Sequence, residues 1–371
     1  MGFSLMLIDR RLLIHFDWPL LGLVLLIASV GLTNLYSNTV SMETVGTPAY
    51  LKQFSWLLIG LAVMVTIASV EYRHYSDFAY FAYGAAIFSL LLVWAFGMTT
   101  SGAQRWIRIG TFSFQPSEFC KISLILALAK IFRRPPNREG YSLKELLLPF
   151  LLLLLPTLLI LKQPDLGTAI ILFMIFLSVL LFVKVRWSSW LIMVAAGGLI
   201  LPLLWTFLKE YQKRRILTFL NPDLDPLGAG YHVIQSKIAV GSGGILGKGL
   251  MQGTQCKLGF LPEQQTDFIF SAFAEEWGLI GGLALLALYG LLIWWGLRIA
   301  VQAKDRFGAI LSFGVTAMLF WHVFINIGMV LGIMPVAGIP LPLLSYGGSF
   351  LVSTLMGVGI LLNVSMRRYL F

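Results

Sequence analysis

The amino-acid sequence predicts an all-α integral membrane protein that crosses the bilayer about ten times. Of its 371 residues, 58% are hydrophobic and 12% are charged, whereas soluble domains carry about 25% charged residues. Apolar runs of membrane-spanning length recur evenly along the chain, which favours a single domain over residues 1–371. Lysine and arginine are concentrated in alternate loops between these runs, as expected when successive loops lie on opposite sides of a membrane.

Ten segments are predicted as spans, because a helix needs about 20 mostly apolar residues to cross the hydrocarbon layer. The predicted spans cover approximately 18–37, 53–70, 78–97, 117–132, 146–161, 166–183, 189–208, 268–297, 308–333 and 346–366. The fourth, fifth and sixth of these are the shortest and lie near the lower limit of spanning length.

The placement of basic residues predicts the orientation of the chain. The segments 130–144 and 298–306 are rich in Lys and Arg, and they fall on the same side if there are ten spans. The positive-inside rule makes that side the cytoplasm and places both termini there. The net charge of +10 therefore suits loops that face anionic membrane lipids, and it does not indicate nucleic-acid binding.

A long segment of about 209–267 separates the seventh and eighth spans and is predicted to be extracytoplasmic. It is rich in glycine without being of low complexity, and loops of this length in compact proteins tend to be functional or disordered. Arg215 belongs to a basic cluster in this segment, and Lys248 lies between glycines, so both are candidate phosphate contacts. A flexible turn is the alternative interpretation of the glycines around Lys248.

The sequence contains no recognisable metal-binding motif. Cys120 and Cys256 do not form a disulfide framework or a metal-ligand pattern, and His232 and His322 show no ligand spacing either.

Asp267 is the candidate catalytic residue. It opens the eighth predicted span, where an aspartate suits the helix N-cap. The same position would place its carboxylate at the floor of an outward-facing cavity, as a general base. The eighth span exceeds the hydrocarbon thickness, and Trp277 and Trp294 lie about one bilayer apart. Residues 268–276 are therefore predicted to form a helical extension at the outer surface.

Charged residues near the starts of other spans are candidate substrate contacts, because a charge at membrane depth is costly unless it is paired or hydrated. Glu118 and Lys121 are three residues apart on the fourth span and can pair. Arg105 and Arg108, in the preceding loop, could bind a phosphate or simply extend to the membrane interface. Asp165 is a further candidate, with capping of the sixth span as its structural alternative.

These residues together indicate an outward-facing cavity that holds basic groups and carboxylates. Such a cavity suits a lipid-linked anion as substrate. The residues alone do not separate an enzyme from a transporter.

Five stretches of the chain resemble the SEDS (shape, elongation, division and sporulation) family, in order and over most of the length. They read GAQRWIRIGTFSFQPSEFCK at 102–121, QPDLGTA at 163–169, NPDLDPLGAGYHVIQSKIAVGSGGILGKG at 221–249, GTQCKLGFLPEQQTDFIFSAFAEEWG at 253–278 and INIGMVLGIMPVAGIPLPLLSYGGS at 325–349. The forms GAQRW and QSKIAVGSGG are more similar to the rod-shape branch of the family than to its division branch.

The resemblance implies a ten-helix SEDS fold and peptidoglycan glycosyltransferase activity in the bacterial cytoplasmic (inner) membrane. The implied substrate is lipid II, which is joined into β-1,4 glycan strands during cell elongation with release of undecaprenyl pyrophosphate. The family's essential aspartate corresponds to Asp267, and its conserved Glu and Lys correspond to Glu118 and Lys121. The implied partners are a class B penicillin-binding transpeptidase and other membrane proteins of the elongation complex.

In this interpretation Asp267 accepts the proton of the acceptor hydroxyl, and cations stabilise the leaving pyrophosphate. The candidate cations are Arg105, Arg108, Lys121, Arg215 and Lys248. A divalent ion, magnesium or manganese, is a candidate cofactor. A lipid II flippase is the alternative function, and a scaffold without activity is the third.

Overall fold

The computed structural model describes residues 15–40, 47–100, 103–109, 112–207, 210–221, 228–260 and 263–368. In these ranges the chain is mainly helical. The helices are α1 (Trp18–Val40), α2 (Ala49–Ser69), α3 (Tyr72–Phe96), α4 (Pro116–Phe132), α5 (Leu143–Lys162), α6 (Leu166–Phe182), α7 (Trp187–Phe207), α8 (Glu210–Leu220), α9 (Ala229–Ser242), α10 (Thr254–Lys257), α11 (Ile269–Gln302), α12 (Arg306–Val330) and α13 (Gly348–Arg367).

Each of the ten predicted spans coincides with one of these helices, which confirms the predicted fold class. Within the described residues, seven helices are long and apolar enough to cross a membrane, namely α1, α2, α3, α5, α11, α12 and α13. Of the other three predicted spans, α4 and α6 have 17 residues each, and α4 also carries Glu118, Lys121 and Lys130. In α7 the apolar stretch is Trp187–Ile200. The chain is thus a multi-pass membrane protein.

The centre of the bundle is formed by α12 and α13. In their most apolar stretches, 72% of the residues of α12 and 94% of those of α13 are buried, against 28% for α2, α3, α5 and α11. Large apolar side chains such as Phe81 and Phe88 are exposed on the peripheral helix α3. An exposed apolar surface of this kind is what a bilayer covers in a membrane protein.

A small β-sheet connects α3 to α4, a region where the sequence analysis expected only a loop. Its strands are β1 (Met98–Thr100), β2 (Ala103–Ile109) and β3 (Phe112–Phe114), and they pair antiparallel in the order β1-β2-β3. Trp106, Ile107 and Ile109 in AQRWIRI are of the aromatic and β-branched types that are enriched in strands. The sheet brings Arg105 and Trp106 towards the ends of the neighbouring helices.

Helix α11 is broken near its start. Gly278 has φ 65° and ψ −165°, so residues 269–277 form a short separate helix before the long span. The turn at 243–253 enters this break, where the N–H groups of Lys248 and Gly249 donate to the carbonyls of Glu275 and Glu276 at 3.1 and 3.0 Å. A Cβ on Gly278 would lie 2.3 Å from the nitrogen of Gly247, so only glycine fits at the break.

Candidate active site

A cavity of about 290 Å³ opens where the N-terminal ends of α4, α6 and α13 converge with the segments before α11 and before α13. It has both charged and aromatic walls. The lining residues are Arg105, Trp106, Gln115, Glu118, Asp165, Leu166, Thr168, Glu263, Thr266, Asp267, Ala337, Gly338, Pro340, Tyr346, Gly347 and Phe350. Helix N-termini carry a partial positive charge, so their convergence favours an anionic group in the cavity.

Asp267 lies in the wall of this cavity. The N-cap of α11 is Phe268, which makes no side-chain capping hydrogen bond, so the expectation that Asp267 caps this helix is wrong. Capping would have directed the carboxylate along the helix axis, whereas here it faces the cavity beside Gly338. A Cβ at Gly338, whose φ is 69°, would lie 3.3 Å from Oδ2 of Asp267. The absence of that atom leaves space next to the carboxylate.

Glu118 and Lys121 form the predicted ion pair, with 2.8 Å between Oε2 of Glu118 and Nζ of Lys121. Their side chains are 4% and 1% exposed, so the pair is almost completely removed from solvent. The hydroxyl of Ser353 donates to the same oxygen of Glu118 at 3.0 Å. Glu118 lines the cavity, whereas Lys121 lies behind it.

Lys121 also contacts a histidine that the sequence analysis did not connect with the site. Its Nζ lies 2.9 Å from Nε2 of His322, and Nδ1 of the same ring lies 3.2 Å from the carbonyl of Pro340. A carbonyl can only accept, so Nδ1 carries the ring proton and Nε2 accepts from the ammonium group. The charged pair on α4 is therefore connected through His322 to a residue that lines the cavity.

Asp165 is the N-cap of α6, as the structural interpretation expected. Its two carboxylate oxygens accept from the backbone N–H and the hydroxyl of Thr168 at 3.2 and 2.9 Å. One of these oxygens lies 3.9 Å from the guanidinium of Arg105. Asp165 thus lines the cavity and also orients the cation nearest to it.

Arg105 and Arg108 do not act as a pair at the cavity. They are three residues apart on β2, and side chains with this spacing lie on opposite faces of a strand. Arg105 lines the cavity and donates to the carbonyls of Gln163 and Pro164. Arg108 is exposed and does not belong to the cavity wall.

Lys248 is also outside the cavity, and its ammonium group is bound to the buried carboxylate of Glu275 at 2.6 Å. That carboxylate accepts in addition from the N–H groups of Thr254 and Gln255 at 2.8 and 3.1 Å. The glycine-rich turn around Lys248 thus binds the broken end of α11 and does not present its N–H groups to a ligand. Arg215 lies in α8, but its side chain is outside the described residues.

Several cavity residues have no counterpart among the predicted site residues, among them Glu263, Tyr346 and Phe350. Glu263 adopts φ 51°, an uncommon conformation for a residue with a side chain, and its carboxylate accepts from Thr266 at 3.1 Å. A signal for the other two was available, because Tyr346 lies within the SYGGS sequence at 345–349 and Phe350 directly follows it. Nothing in that sequence, however, indicated proximity to Asp267.

The described residues contain no group of three or more His, Cys, Asp or Glu side chains that could hold a metal ion by themselves. Four carboxylates line the cavity, from Glu118, Asp165, Glu263 and Asp267, against the single guanidinium of Arg105. The described wall is therefore acidic, apart from the three helix ends. Its chemistry offers proton transfer by a carboxylate and binding of an anion at helix N-termini.

A family model described as "Cell cycle protein" (FtsW/RodA/SpoVE) matches residues 12–370. Over 321 aligned residues the chain is 46% identical to the peptidoglycan glycosyltransferase MrdB of Escherichia coli (strain K12). The alignment covers 85% of each chain.

Two solved structures are similar over nearly the whole length. A chain from a peptidoglycan synthase complex that coordinates polymerization and crosslinking has a TM-score of 0.81 and 34% identity, covering 96% of this chain and 99% of that one. The crystal structure of the rod shape determining protein RodA of Thermus thermophilus has a TM-score of 0.69 and 31% identity, covering 96% and 98%. The chain belongs to the FtsW/RodA/SpoVE family, the SEDS family whose motifs its sequence carries.

Proposed function

We propose that this chain is a peptidoglycan glycosyltransferase, which polymerises lipid II into β-1,4 glycan strands during cell elongation. The observation that carries the proposal is the position of Asp267, whose carboxylate lines a cavity at converging helix N-termini and does not cap its own helix. The similar proteins support the same reaction, since the Escherichia coli relative is named a peptidoglycan glycosyltransferase.

In the proposed reaction, Asp267 accepts the proton from the attacking sugar hydroxyl. The hydroxyl oxygen then bonds to the anomeric carbon of the donor sugar, while the bond from that carbon to the pyrophosphate breaks. The electron pair of the broken bond leaves on undecaprenyl pyrophosphate, and the configuration at the carbon inverts. This route needs one base and a stabilised leaving group.

The leaving pyrophosphate needs positive charge, and the described cavity supplies it from two sources. Arg105 is the cation in the described wall, and the N-terminal ends of α4, α6 and α13 add their partial positive charges. Lys121 contributes positive charge indirectly, because it balances the negative charge of Glu118. Arg108 and Lys248, which lie elsewhere, are not used in this proposal.

A divalent cation, magnesium or manganese, is proposed as an additional source of positive charge. Such ions often bind through one or two carboxylates together with substrate phosphates. Glu263, which lines the cavity, offers a suitable carboxylate ligand, so that Asp267 keeps its role as the base. When bound, the ion would neutralise charge on the pyrophosphate.

We also propose that the cavity faces the outside of the cytoplasmic membrane and that both termini are cytoplasmic. The basic segments 130–144 and 298–306 support this orientation through the positive-inside rule. The proposed partner is a class B penicillin-binding transpeptidase, because a chain with the same fold occurs in a complex that couples polymerization to crosslinking. Other elongation-complex membrane proteins are further proposed partners.

Purified protein in detergent micelles, mixed with lipid II and its transpeptidase partner, tests the proposal against the flippase alternative. No membrane separates two compartments in micelles, so a transporter has nothing to move. We expect glycan polymer together with one undecaprenyl pyrophosphate for each linkage formed, and a lower rate after addition of a chelator. Absence of polymer in micelles, combined with lipid II translocation in sealed vesicles, would establish the flippase function instead.

A further inference from the structure

The backbone around Asp267 is held by hydrogen bonds to the carbonyls of three consecutive residues, the last of which is Asp267 itself. The carbonyl of Gln265 accepts from the N–H of Tyr346 at 2.8 Å, and the carbonyl of Thr266 accepts from the hydroxyl of Ser345 at 2.6 Å. The carbonyl of Asp267 itself accepts from the side-chain amide of Asn326 at 2.8 Å. The carboxylate therefore projects from a backbone that other parts of the chain fix in place.

Asn326 is the member of this set that contacts Asp267 directly. Its side chain, on α12, is completely buried, and the same amide nitrogen donates to the carbonyl of Ile339 at 2.7 Å. Ile339 lies between Gly338 and Pro340, which both line the cavity. One amide group thus joins the backbone of Asp267 to the segment that faces its carboxylate.

The orientation of this amide is determined by its neighbours. Both contacts are carbonyl oxygens, which only accept, so the NH₂ group must face them. The amide oxygen is buried and has no hydrogen-bond partner among the described residues. An unpaired buried acceptor costs stability, so fold stability alone does not explain an asparagine at this position.

We propose that Asn326 is a positioning residue, which sets the place of the Asp267 carboxylate relative to the bound acceptor sugar. The inference rests on the proposed glycosyltransferase function. Asn326 does not line the cavity, so its loss should displace the base while every side chain of the binding surface for the substrate is kept. Displacement of a reacting group by about 1 Å can lower a rate by about 100-fold.

The test compares Asn326→Ala with Asn363→Ala in the reconstituted complex with its transpeptidase partner. Asn363 is a matched control, because it is equally buried and its amide also donates to two backbone carbonyls, those of Ile67 and Val70, near the far end of α13. We expect Asn326→Ala to lower kcat by about 10- to 100-fold with KM for lipid II within about 2-fold. We expect Asn363→Ala to lower the thermal stability but to leave kcat within about 2-fold of the parent value.

Equal losses of kcat in the two variants would show a purely structural role and overturn the inference, as would a rise in KM at unchanged kcat. If Asn326→Ala fails to fold, Ser345→Ala removes the neighbouring contact to Thr266 and should lower kcat in the same way. An unchanged kcat would then contradict the proposal.

A parent protein without polymerase activity would refute the proposed function and this inference with it. Activity of both the parent and Asn326→Ala, with loss only in Asp267→Asn, would refute this inference alone.

Discussion

Replacing Asp267 with asparagine is expected to lower the rate of lipid II polymerisation by about 100- to 10,000-fold, the usual contribution of a positioned general base. The amide has nearly the same size and shape as the carboxylate, but it cannot take up the proton of the attacking hydroxyl. The fold should be retained, because the N-cap of α11 is Phe268 and capping does not depend on Asp267. Gel analysis of glycan polymer, alongside the thermal unfolding temperature, measures both quantities.

The matched control for this variant is Asp77→Asn. Asp77 is exposed on α3 and does not belong to the cavity, so the same loss of one carboxylate should leave polymerisation within about 2-fold of the parent rate. If Asp267→Asn polymerised lipid II as fast as Asp77→Asn, Asp267 would not be the base.

Replacing Lys121 with methionine is expected to lower the free energy of unfolding by about 3–5 kcal/mol, because a buried carboxylate then loses its cation. Of the side-chain contacts of Glu118 described above, only the hydrogen bond from Ser353 would remain. Its side chain is 4% exposed, so water cannot replace the ammonium group without a local rearrangement. Thermal unfolding of the purified protein, followed by tryptophan fluorescence, measures the change.

The double variant Glu118→Gln/Lys121→Met separates loss of charge balance from loss of packing. It removes both charges, so most of the stability lost in Lys121→Met should return. A double variant as unstable as the single one would mean that the pair acts through packing and not through charge. We expect the double variant to polymerise lipid II more slowly than the parent protein, because the altered Glu118 lines the cavity.

Hydropathy and length were sufficient to predict the ten membrane-spanning helices of this fold, but not α8, α9 and α10 in the segment between α7 and α11. A bilayer requires each span to satisfy its own backbone hydrogen bonds, so an apolar run of sufficient length has little alternative to a helix. The short α4 was predicted despite its three charges, because Glu118 and Lys121 share one face of a helix. The preference of aspartate for helix N-caps likewise offered capping of α6 as the structural alternative for Asp165, and the structure shows this cap.

The remaining features depend on contacts between distant segments, which local patterns do not contain. Gly278 breaks α11 because the turn at 243–253 supplies replacement hydrogen bonds. This turn lies 25 or more residues earlier in the sequence. Lys248 is a candidate phosphate contact by sequence because glycines flank it, but in the structure its ammonium group is paired with the distant carboxylate of Glu275. His322 joins the Lys121 pair only through the packing of α12 against α4.

The central claim is that the cavity beside Asp267 holds the lipid-linked sugar during the reaction. Photo-crosslinking tests it most directly, with benzoylphenylalanine in place of Tyr346 in the Asp267→Asn background, so that substrate binds without being consumed. Tyr346 lines the cavity, whereas Phe88, the control position, is 62% exposed on α3. We expect covalent capture of lipid II at position 346 and not at position 88. Capture at position 88 alone, or none at 346 under conditions where lipid II binds the protein, would contradict it.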